Sequence, residues 1–69
     1  MEAYQQRVVE ERDELEARMK KLGKFIRPEV GGPDPVSVNE LDRLQRQEMV
    51  MKLYFHVLTE RIDAFTQEV

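Results

Sequence analysis

An all-α fold, an antiparallel two-helix hairpin that assembles into a helical bundle by oligomerisation, is the architecture this sequence predicts. Three observations predict it: two long stretches with helical spacing of apolar residues, one short segment holding all three prolines between them, and a chain of 69 residues with no cysteine and a single histidine. Apolar residues recurring every three to four positions mark one face of an α-helix. A core this small supplies only about 3–5 kcal/mol unaided, and small domains add disulfides, a structural metal or oligomerisation. The first two have almost no ligands here, so oligomerisation is expected.

The first helix is expected over about 2–26, in a single domain that takes in the whole chain from 1 to 69. Its stripe runs through Met1, Tyr4, Val8, Leu15, Met19, Leu22 and Ile26, with Val9 and Phe25 beside it. Glu14 with Arg18 and Glu16 with Lys20 form i,i+4 pairs in the favourable acid-first order. Pro28 lacks an N–H and pushes Arg27 out of helical geometry, which ends the helix near Ile26. Residues 27–37 form the loop, with Gly31, Gly32, Pro33 and Pro35 near its centre.

The second helix is expected over about 38–67. Ser37 and Glu40 have the S-x-x-E spacing of a capping box, with Val36 and Leu41 at the positions of a hydrophobic staple, so the helix should begin at Val38. Leu41, Leu44, Met51, Phe55, Leu58, Ile62, Phe65 and Val69 make a heptad seam interrupted once, at Glu48. A second set, Met49, Val50, Leu53, Tyr54 and Val57, lies beside that seam. One partner helix covers one face, so these five are the expected oligomer interface.

Charge and composition exclude several function classes. A net charge of −3 argues against nucleic acid as partner, because phosphate backbones are bound by a basic surplus. No apolar run reaches the length of a membrane span, and the N-terminal segment lacks the basic and apolar regions of a secretory signal, so a soluble cytoplasmic protein is expected. His56 has no second histidine, cysteine or acid cluster at ligand spacing, so no metal and no cofactor are expected. No serine or threonine stands in a nucleophile context, and the Gly-Gly-Pro loop lacks the lysine of a phosphate loop, so the chain is not expected to be an enzyme.

The charges segregate along the first helix, acids early and bases late. Complementation of the helix dipole explains this without a ligand. In a hairpin, however, Lys20, Lys21, Lys24 and Arg27 meet Arg43 and Arg46 at the loop end, together with the free N–H groups that open the second helix. Such a pole is a candidate site for a small anion such as a nucleotide phosphate.

The run YQQRVVEERDELEARMKKLGKFI, followed after the loop by Leu44, Gln47, Met51, Tyr54, Leu58, Arg61 and Ile62, resembles small phage proteins related to a crAss-like phage gene product. The Gly31-Gly32-Pro33 loop departs from that pattern. In size and hairpin build such proteins are similar to the helical sponges with which phages block CBASS and Thoeris defences. That resemblance implies an oligomer that holds a cyclic nucleotide signal between subunits. Two further expectations stand beside it: an adaptor or inhibitor docking on a host protein through the apolar face of the second helix, and a structural small phage protein.

Overall fold

The computed structural model describes residues 2–28 and 36–66. Within them helix α1 spans Ala3–Ile26 and helix α2 spans Val38–Ala64, and the two pack against each other along their length as an all-α hairpin. The body is elongated, 50 × 20 × 16 Å.

Each helix end has a local cause. Ahead of α1, Glu2 is extended and its N–H donates to Gln5 Oε1 at 2.9 Å, so the N3 side chain serves the cap residue. At the other end Arg27 leaves helical geometry (φ −130°, ψ 70°) while its N–H still reaches the Gly23 carbonyl at 2.9 Å. The following proline then forbids another turn.

Ser37 caps α2 by accepting the Glu40 N–H on Oγ at 3.0 Å. The expected capping box is only half made. The Glu40 carboxylate accepts from Arg43 Nε at 2.8 Å instead of returning to the cap, because a charged guanidinium one turn along is a stronger donor than an amide. The C-terminal end is earlier than the expected 67: Phe65 donates its N–H to the Ile62 carbonyl, a tightened i→i+3 bond, and the Thr66 hydroxyl donates to the Asp63 carbonyl. The loop's Gly31-Gly32-Pro33 and the seam's last residue, Val69, lie outside the described residues.

Val8, Leu15 and Leu58 form the buried centre, with Met19, Met51, Phe55, Ile62 and Phe65 packed around them. Leu58 is fully enclosed, and a leucine in that state contributes about 1.5–3 kcal/mol. The antiparallel register is held at both ends. Tyr4 meets Phe65 edge-on, ring centroids 5.8 Å apart, and near the loop the Arg27 guanidinium pairs with the Glu48 carboxylate.

Glu48 corrects the sequence reading most clearly. Its position interrupts the apolar seam, yet the residue stays in the seam, 8% exposed, instead of opening a gap there. Gly23 lies opposite: a β-carbon there would come within 3.5 Å of both the Glu48 and Arg27 head groups. A small residue on α1 thus leaves room for an ion pair where another hydrophobic contact would have stood.

Candidate binding surfaces

Two surfaces stand out from the hairpin: the loop pole with its cations, and the outer face of α2 with its apolar side chains.

At the pole, four of the six candidate residues are engaged with acids of the same chain. Lys20 reaches Glu16 at 3.4 Å, Arg43 reaches Glu40 at 2.8 Å, Arg46 reaches Asp42 at 3.1 Å, and Arg27 holds Glu48. Lys21 and Lys24 have no acidic partner within 4.0 Å among the described residues. All six are at the loop end of the hairpin, but pairing with carboxylates cancels most of the positive potential that an anion would feel. The acids responsible were visible in the sequence at i−3 and i−4 of each cation, except for Glu48, whose pairing with Arg27 exists only once the chain has turned back.

Among the described residues Glu48 is the carboxylate whose environment clearly shifts its pKa. The hydrogen bond from Arg27 lowers its pKa, burial opposes this, and the charges of Arg27 and Lys52 add to the lowering. The same contact raises Arg27. An arrangement of this kind fixes geometry and holds a proton off; it does not prepare a general base, which needs a pKa near the working pH.

The outer face of α2 presents the five residues expected at an oligomer interface. Met49 is 69% exposed, Val50 and Leu53 are each 67%, and Val57 and Tyr54 retain nearly half their surface. They occupy two and a half turns beside the face that carries Leu58, Met51 and Ile62. Soluble chains seldom leave so many adjoining large apolar side chains to water.

Sequence reasoning missed a third feature. Tyr4, Arg61, Ala64 and Phe65 line a shallow depression of about 210 Å³ at the end away from the loop. An arginine beside two aromatic rings is a familiar setting for a planar, anionic ligand. Its parts are far apart in the chain, Tyr4 near the start and Arg61 near the end, and only the hairpin register joins them.

Among the described residues no helix is long and apolar enough to cross a membrane, and no group of three potential metal ligands occurs. Comparison with curated proteins and with solved structures finds no match. The profile of one family, Sequestin, matches residues 2–64, which takes in the whole of α1 and α2 with the cap of each. With so continuous a match over the hairpin, the chain belongs to the Sequestin family.

Proposed function

We propose that this protein is a small oligomeric binding protein that sequesters a small anionic signal, a cyclic nucleotide of an immune pathway, and that it serves a phage as counter-defence in the host cytoplasm. The observation that carries this reading is the Sequestin match across both helices, since the family's name denotes capture of a ligand or partner. The composition and form of the chain agree with it. A hairpin with an exposed apolar face and arginines at its margins suits a subunit that closes around a ligand when it assembles. The phage setting rests on the resemblance of the sequence to small phage proteins.

We also read the protein as non-catalytic, binding without turnover and without cofactor. Glu48, the carboxylate with the lowered pKa, has its charge committed to Arg27.

The exposed stripe of Met49, Val50, Leu53, Tyr54 and Val57 supports a second reading, an adaptor that docks on a host protein through this face. Calorimetric titration of the wild-type protein with cyclic dinucleotides, cyclic trinucleotides and cyclic ADP-ribose isomers separates the two. Sequestration predicts a saturable heat with at least one of them, at an affinity that falls as salt is raised. An absence of heat and of thermal shift across the panel transfers the assignment to the adaptor.

A further inference from the structure

Arg61 differs from the other arginines of α2 in its surroundings. Arg43 and Arg46 have Glu40 and Asp42 one turn back and pair with them at 2.8 and 3.1 Å. Around Arg61 the positions one turn away in either direction are Val57, Leu58, Ala64 and Phe65, all of them apolar. Among the described residues Arg61 has no acidic partner within 4.0 Å. An arginine so placed lays its stem on apolar surface and keeps its head group uncommitted. Complementation of the α2 dipole explains a cation in the last turn, but not the cavity that this one lines.

That cavity, about 210 Å³ between Tyr4, Arg61, Ala64 and Phe65, limits what it can hold. An enclosed apolar space of about 150 Å³ admits a benzene ring, so there is room here for an aromatic ring with a carboxyl group. Tyr4 and Phe65 already meet edge to face, so a ligand ring rests on the surface they leave open and does not slot between them. The polar side chains of the lining offer donors. Arg61 brings its forked N–H groups. The Tyr4 hydroxyl accepts from Gln5 Nε2 at 3.5 Å, and among the described residues its own proton has no acceptor. Of the carbonyls that end α2, those of Ile62 and Asp63 already accept from the Phe65 N–H and the Thr66 hydroxyl.

We infer that this depression is a binding site for an aromatic monocarboxylate, complete within a single hairpin. The ring rests on Phe65 and Ala64 beside Tyr4, and the carboxylate takes the Arg61 guanidinium together with the Tyr4 hydroxyl proton. A carboxylate only accepts hydrogen bonds, which is what a lining of donors requires. A nucleobase brings N–H groups of its own, and these would find no side-chain acceptor in the lining. Charge makes the same choice. Glu60 and Asp63, both exposed, flank Arg61 in sequence, so one guanidinium offsets a single negative charge while the two acids oppose the second charge of a phosphate monoester. The inference goes beyond the sequestering reading and stands apart from it.

Titration of the full chain with 2-naphthoate, followed in proton–nitrogen correlation spectra, tests the site. The amides of Tyr4, Arg61, Ala64 and Phe65 should shift and saturate, with the roughly millimolar affinity expected of so small a ligand. The uncharged 2-naphthamide has the same rings and should bind at least about tenfold more weakly, because the charge-assisted bonds are gone. Arg61→Gln changes an exposed residue, so the fold should survive by circular dichroism while 2-naphthoate affinity falls at least about tenfold. Tyr4→Phe keeps the aromatic contact and should cost about threefold, the share of one neutral donor. Adenosine monophosphate should bind these residues more weakly than 2-naphthoate. No saturable shift up to about 10 mM, shifts centred on other residues, equal binding of the amide, affinity undiminished in Arg61→Gln, or tighter binding of the nucleotide would each overturn the inference. Sequestration is decided by the cyclic nucleotide titrations, so the two readings fail separately.

Discussion

Arg27 and Glu48 show how much one pair of side chains does in so small a core. Glu48 is desolvated in the seam while the Arg27 side chain stays more than half exposed, so the contact tethers the end of α1 to the second turn-pair of α2 without a fully buried charge. Its effect has a pH signature. Because the folded state lowers the Glu48 pKa, the contact stabilises at neutral pH, and that stabilisation is lost as pH falls below the ordinary glutamate value of 4.5 and through the lowered one. Glu48→Gln should therefore lower the urea midpoint at pH 7, and the gap between variant and wild type should be smaller at pH 3. Urea titrations at the two pH values read this directly, and a constant gap would assign the effect to packing. Gly23 accompanies the pair. A β-carbon there meets only ordinary contacts at 3.5 Å, so Gly23→Ala should raise stability by about 0.5–1 kcal/mol through helix propensity, visible as a higher melting temperature.

At the scale of the helices, their ends are decided by local chemistry. Pro28 stops α1 and Ser37 starts α2, each acting within a few residues of itself. Ser37→Ala should cost about 1 kcal/mol, because the Glu40 N–H loses its acceptor at the cap and the Glu40 side chain, held by Arg43, is not placed to compensate. An unchanged denaturation midpoint would show that the first turn of α2 is held by packing instead. The seam between the helices follows the heptad expectation at Leu58, Met51, Phe55 and Ile62 and departs from it at Glu48. Periodicity reports which face a residue occupies; it does not report whether the opposing helix supplies a counter-charge. The partner Arg27 is far away in sequence and becomes adjacent only in the hairpin.

Over the whole molecule, the balance lies between a charged pole and an apolar face. The pole is rich in lysine and arginine, yet Arg27, Arg43, Arg46 and Lys20 face carboxylates of their own chain. Lys21 and Lys24 therefore carry most of what positive potential remains there. Replacing both with Gln should change stability by only a few tenths of a kcal/mol, the ordinary worth of cations in the last turns of a helix. Nucleotide affinity, measured by calorimetry, should survive the double change with a loss of no more than about threefold, as expected of screened long-range attraction. Abolished binding with an intact oligomer would return the ligand to the pole. The apolar face of α2, by contrast, has little to oppose its burial, and the family match extends across the whole of it.

The sequence by itself determined the two helices, where the first ends and the second begins, and the five outward residues of α2, because helical period, proline and capping chemistry act within a turn or two of chain. It also placed the acids that neutralise three of the pole's cations, since i−3 and i−4 neighbours lie side by side on any helix. Only the tertiary structure decided that Glu48 is buried, that Gly23 lies beside it, and that Tyr4, Arg61 and Phe65 line a common depression. Those facts depend on the register in which α1 returns along α2. A slide of one turn, about 5.4 Å, would give each of these residues a different neighbour while leaving both helical patterns intact.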